Sequence, residues 1–200
     1  MRELGLPETG GPVLALIGRL VPQKGVDLAL AALRALADRP LTAVILGTGD
    51  ATLEQAALDL ASERPRAICA RVAFDEGLAR RIYAGADALL VPSRYEPCGM
   101  AQMIAMRYGC VPVARETGGL ADTVRDLDLS DRPTGVLFPD ATVPSLAFAL
   151  RRALAAFERG EPWRRLVLNG MGEDFSWGRS ARAYLELYER SRAERAEEAT

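Results

Sequence analysis

The run Ala88-Leu89-Leu90-Val91-Pro92-Ser93-Arg94-Tyr95-Glu96-Pro97-Cys98-Gly99-Met100-Ala101-Gln102-Met103-Ile104-Ala105-Met106 passes from an apolar tetrapeptide through a turn into an amphipathic stretch. The first part reads as a strand buried on both faces and the last part as a helix. A strand feeding a helix through a turn is half of a βαβ unit, and in an open α/β sheet that turn, beyond the strand's carboxyl end, is where ligands bind. Glu96 is the acid in the turn, and Gly99 permits close backbone approach just before the helix.

The same alternation extends in both directions. Upstream, Val13-Leu14-Ala15-Leu16-Ile17 is a continuous apolar strand, followed by the loop Gly18 to Gly25 and a helical pattern over 26–37. Strands over 42–46 and 67–72 follow, with helices predicted over 53–61 and 76–84, and the strand of the opening run is expected to cover 86–91. Downstream, 110–114 reads as a strand, Thr117-Gly118-Gly119-Leu120 as a glycine-rich turn into a helix, and 134–138 as a short last strand. Beyond Pro139 only helices are predicted, over 143–158, 162–171 and 177–192, the last capped by Ser176. Residues 1–12 read as a linker, 13–192 as one domain and 193–200 as a charged, frayed tail. The prediction is an α/β fold, a Rossmann-like, doubly wound parallel sheet of about six strands with extra C-terminal helices.

Composition narrows the function. With 49% hydrophobic and 26% charged residues, the chain can build a core and stay in water. A net charge of -2 argues against a nucleic-acid binder, so any phosphate site must be local. Cys69, Cys98 and Cys110 form no paired spacing, which suggests neither a disulfide framework nor a zinc site and points to a reducing compartment. No apolar run reaches the ~18 residues of a membrane span, and Met1-Arg2-Glu3-Leu4 does not begin a signal peptide, so a cytoplasmic location is expected. The chain has 0 histidines, so chemistry that needs an imidazole cannot be completed by it alone.

Each candidate residue has an ordinary reading beside the functional one. Arg19 and Lys24 share one loop at a strand's carboxyl end and could converge on a diphosphate, or be two solvated cations. Thr117-Gly118-Gly119 could offer backbone N–H groups to an anion or be a plain turn, and Gly47-Thr48-Gly49-Asp50 could play a similar part. Phe74 could cover a planar base or belong to the core. Glu96 suits sugar hydroxyls, yet could be a solvated acid. Cys98, beside a helix start, is not read as a nucleophile, because no histidine can pair with it.

Taken together, Gly18-Arg19-Leu20, Gln23-Lys24-Gly25, Leu46-Gly47-Thr48-Gly49-Asp50, Gly85-Ala86-Asp87, Val91 to Gly99, Thr117 to Val124 and Asp174-Phe175-Ser176-Trp177 resemble the carboxyl-terminal half of glycogen and starch synthases, which are retaining glycosyltransferases of the GT-B fold. The resemblance covers residues 13–190 in family order. It implies transfer of glucose from ADP-glucose to the non-reducing end of an α-1,4-glucan, with no metal and no cofactor. Arg19 and Lys24 would hold the donor diphosphate and stabilise the leaving nucleotide. Glu96, Cys98 and Gly99 would lie at the glucose, Thr117, Gly118 and Gly119 at the phosphates or glucose, and Phe74 on the adenine. Ile104 stands where related transferases carry a second glutamate, so a paired-carboxylate mechanism is unsupported, and Met100 and Ala101 replace the usual Leu and Thr. The family's amino-terminal domain, with a glycine-loop lysine, a histidine and the acceptor site, has no counterpart in these residues, so the chain is expected to be inactive by itself. The alternatives are a transferase using a UDP- or GDP-sugar, and a nucleotide-binding module without activity.

Overall fold

The computed structural model describes residues 4–7 and 10–198. In chain order the elements are β1 (Val13–Ile17), α1 (Val26–Ala35), β2 (Thr42–Gly47), α2 (Ala51–Glu63), β3 (Ile68–Val72), α3 (Glu76–Gly85), β4 (Ala88–Val91) and α4 (Ala101–Tyr108). There follow β5 (Val111–Arg115), α5 (Gly119–Thr123), β6 (Val136–Phe138), α6 (Val143–Arg159), α7 (Glu161–Met171) and α8 (Trp177–Glu198). The strands form a 6-stranded sheet in the order β3-β2-β1-β4-β5-β6, every pair parallel. The doubly wound expectation is met.

Alternate side chains along each strand face opposite layers. Leu14, Leu16, Ile45, Leu90, Val113 and Phe138 pack with α1, α2 and α6, while Ala15, Val44, Leu46, Leu89, Val91 and Ala114 pack with α3 and α4. α7 bridges the layers, sending Trp163 and Leu166 into the first and lying against α4. Fully burying a Leu of this kind contributes about 1.5–3 kcal/mol. Caps set the helix starts: Asp50 accepts from the N–H groups of Thr52 and Leu53, Asp75 from Leu78, and Thr142 from Ser145.

Several boundaries differ from expectation. The last strand is shorter, because Thr134 and Gly135 donate their N–H groups to Arg125 O at 2.9 and 3.1 Å. The segment expected as a bare linker sends Leu6 into the core. At the start of α8 the Ser176 hydroxyl and N–H both go to Asp174. α8 runs past the expected end at 192, through Glu198, and its described side chains are all exposed. Among the described residues no helix is long and apolar enough to cross a membrane.

Candidate functional site

In this strand order the chain turns towards β2 after β1 and towards β5 after β4. Their helices, α1 and α4, lie on opposite faces, and a crevice opens between the two loops. The β1 loop is fixed by Leu20, which is 1% exposed and donates its N–H to Thr48 O at 3.0 Å. It then tightens into a 3-10 turn over Pro22–Lys24 and ends at Gly25, whose φ of 66° is a left-handed conformation that favours glycine. A Cβ on Gly25 would sit 2.0 Å from Pro92 O, so only glycine lets this loop close on the end of β4.

That closure brings Lys24 to Glu96. The lysine Nζ is ion-paired with Glu96 Oε2, which also accepts from Ser93 Oγ at 3.1 Å. The Glu96 side chain is 8% exposed and that of Lys24 29%, so the acid is not the solvated group of the ordinary reading. Removing two charges from water is costly, and the second hydrogen bond from Ser93 helps to offset it. Both bonds go to Oε2. Lys24 keeps two of its three N–H donors for another ligand.

The two loops are stitched together by residues that sequence reading did not assign. Arg94 forks onto Asp27 with two bonds of 2.7 Å and donates to Pro22 O at 2.8 Å. Gln23 Nε2 donates to Tyr95 O at 3.0 Å, and Arg115 donates to Ser93 O at 2.7 Å and also to Arg94 O. The Arg94 hydrogen bonds hold the Asp27 carboxyl below its usual value, against the upward push of burial. No local pattern marks these partners, since they lie tens of residues apart.

A cleft of about 270 Å³ is lined by Arg19, Lys24, Ser93, Glu96, Gly99 and Met100. A second hollow of about 220 Å³ is lined by Thr48, Phe74 and Asp75. Ile17, Gly18 and Arg19 border both, so Arg19 stands between the cleft at Glu96 and the hollow at Phe74. Arg19 is exposed, and Phe74 is 84% exposed, which removes its reading as a core aromatic. A larger hollow of about 420 Å³ beside α6 and α7 contains none of the expected residues. Its Arg152 is already paired with Asp126 at 2.6 Å and with Asp128 at 2.8 Å.

Four expected site residues fall elsewhere. Thr117, Gly118, Gly119 and Cys98 do not line the cleft. The Gly119 N–H, expected at a phosphate, donates to Glu96 O at 3.0 Å. Cβ atoms on Gly118 and Gly119 would lie 2.3 Å from Glu96 O and 1.9 Å from Cys98 O. The missing side chains here admit a neighbouring backbone, and the turn supports the Glu96–Cys98 loop from behind. α5 has only 5 residues and adds little dipole to the turn. In Gly47-Thr48-Gly49-Asp50 the Gly49 N–H is likewise committed, to Glu54 at 2.7 Å. Among the described residues no group of three or more His, Cys, Asp and Glu converges to hold a metal ion.

Comparison with known proteins places this arrangement. The chain is 53% identical over 188 residues to a glycogen synthase of Anaeromyxobacter sp. (strain Fw109-5), covering 94% of this chain and 40% of that protein. It is 52% identical over 185 residues to a glycogen synthase of Thioalkalivibrio sulfidiphilus, covering 90% of this chain and 38% of the relative. The catalytic domain of starch synthase IV from Arabidopsis thaliana, solved bound to ADP and acarbose, superposes with a TM-score of 0.85 at 38% identity, over 95% of this chain and 41% of that one. The chain thus spans about two fifths of the length of these relatives, and its sheet matches the GT-B fold of the starch synthase. Residues 11–156 match the family described as glycosyl transferases group 1, and the chain belongs to that family.

Proposed function

We propose that this chain is the donor-binding part of a glycogen (starch) synthase, which transfers glucose from ADP-glucose to the non-reducing end of an α-1,4-glucan with retention. The observation that carries the reading is the order of groups across two adjoining hollows at the switch point. Glu96 with Lys24 stands at one end, Arg19 in the middle and Phe74 at the other. A nucleotide sugar has the matching order: hydroxyl-rich sugar, diphosphate, planar base. The glycogen synthase relatives and the starch synthase solved with ADP and acarbose support a nucleotide-sugar donor and a glucan acceptor.

In this reading Glu96 Oε1 accepts from glucose hydroxyls. Lys24 and Arg19 hold the diphosphate and stabilise the charge that develops on it as the bond to glucose breaks, the part a metal ion plays in other transferases. Phe74 stacks on the base. Gly99 lines the sugar end, while Thr117, Gly118, Gly119 and Cys98 act by supporting the loop. The glucan is taken by the family's amino-terminal domain, which also completes the catalytic contacts.

Titration calorimetry of the chain with ADP-glucose tests the reading. Saturable heat is expected, with UDP-glucose and GDP-glucose competing poorly, and Lys24→Ala should weaken binding by tenfold or more through loss of charge-assisted bonds. Absence of binding, or equal binding by Lys24→Ala, would overturn it.

A further inference from the structure

Behind the cleft lining lies a buried amide with no part in the donor contacts described above. Gln102 is 0% exposed. Its Nε2 lies 2.8 Å from Gly99 O, 3.2 Å from Cys98 O and 3.1 Å from Thr123 Oγ1. The Thr123 hydroxyl donates to Gly119 O at 2.5 Å, so it can only accept from Gln102, and this sets which way the amide points. Gly119 donates its N–H to Glu96 O at 3.0 Å. The hydrogen bonds therefore run as a ring from Glu96 through Gly119 and Thr123 to Gln102, and back to the chain at Cys98 and Gly99.

The cost of this arrangement is visible. Gln102 Oε1 is buried without a partner, and it would lie 2.6 Å from a Cβ on Gly99. An apolar side chain of similar size would fill the space without leaving an orphaned acceptor, but it could not hold two carbonyls. Left unheld, carbonyl oxygens of the loop that lines the cleft could turn towards it, and a negative dipole end there would repel a diphosphate.

We propose that Gln102, relayed by Thr123, is a positioning residue for the sugar–diphosphate end of the cleft. It keeps the Cys98 and Gly99 carbonyls turned inward and so holds the Glu96 backbone where its carboxylate meets Lys24. This rests on the donor-binding reading above.

The test compares ADP-glucose with AMP, which lacks the second phosphate and the sugar, by calorimetry on the parent chain, Gln102→Leu, Thr123→Val, Thr123→Ser and Lys24→Ala, well below their melting temperatures. Gln102→Leu is expected to bind ADP-glucose about tenfold more weakly and AMP as the parent does. Thr123→Val should shift in the same direction, and Thr123→Ser, which keeps the hydroxyl, should match the parent. Parent-like ADP-glucose binding by Gln102→Leu, or an equal loss of AMP, would overturn the proposal. If Gln102→Leu does not fold, the Thr123→Val and Thr123→Ser pair decides by the same criteria. A parent chain that binds no ADP-glucose, or a Lys24→Ala variant that binds like the parent, would instead overturn the donor reading and this inference with it.

Discussion

Glu96 meets Lys24 and Ser93 through one carboxylate oxygen, and its charge and its shape can be tested apart. Glu96→Gln keeps the shape. It is expected to lower ADP-glucose affinity tenfold or more, because hydrogen bonds to a charged acceptor are the stronger ones, while AMP binding is unchanged. Phe74→Ala should weaken AMP and ADP-glucose alike, by about tenfold, since a stacked base is common to both. Calorimetry with the two ligands separates these patterns. That Arg19, Lys24 and Glu96 would line one candidate cleft was legible in sequence because they lie at strand ends, where the fold itself directs ligands. Sequence leaves the part of Gly118 and Gly119 undecided for a physical reason: a missing Cβ makes room equally for an anion or for a neighbouring backbone, and the structure shows Glu96 O and Cys98 O beside them. Gln102, Arg94 and Arg115 carried no sequence signal, since their partners are carbonyls or side chains that only folding brings close.

The loops that build the cleft are held by elements behind them. Gly119→Ala would place a Cβ 1.9 Å from Cys98 O, which is backbone and cannot swing away. The expected outcome is a stability loss of about 1–3 kcal/mol, read as a melting temperature lower by roughly 2–12 °C, together with weaker ADP-glucose binding. A second brace, Asp126, accepts from Leu137 N at 2.6 Å, from Asp128 N at 3.0 Å and from Arg152, tying the loop after α5 to β6 and α6. Burial alone would raise its pKa, but Arg152 and the two N–H groups outweigh burial and hold the carboxyl below 3.8. The folded chain therefore takes up this proton less readily than the unfolded chain. The stability it contributes is complete above the unfolded pKa and is lost as pH falls through the lower folded value. Asp27 and Glu173, held down by Arg94 and Arg125, add to the same slope. The melting temperature should stay level from about pH 7 to 5 and fall below about pH 4. Asp126→Asn should melt roughly 4–8 °C lower at neutral pH and show a shallower acid fall. The parallel strands were readable because burial on both faces leaves continuous apolar runs. The end of β6 was not, because Arg125 captures Thr134 and Gly135 from outside the sheet.

Beyond the sheet, α8 stands apart from the rest of the fold. Trp177 is 86% exposed, Tyr184 57%, Leu187 49% and Tyr188 61%. Since no described side chain of α8 is buried, ending the chain after Ser176 should leave the melting temperature within about 2 °C of the parent. A fall of 5 °C or more in a thermal scan would mean that α8 contributes packing. The two-layered core and the β3-β2-β1-β4-β5-β6 order instead point to the switch point as the place where ligand binding and fold meet. A crystal structure of the chain grown with ADP-glucose would decide whether they do. We expect adenine on Phe74, the diphosphate at Arg19 and Lys24 and glucose at Glu96. Density for the nucleotide in the hollow beside Arg152 and Arg165, or with the sugar at Phe74 and the base at Glu96, would contradict the account.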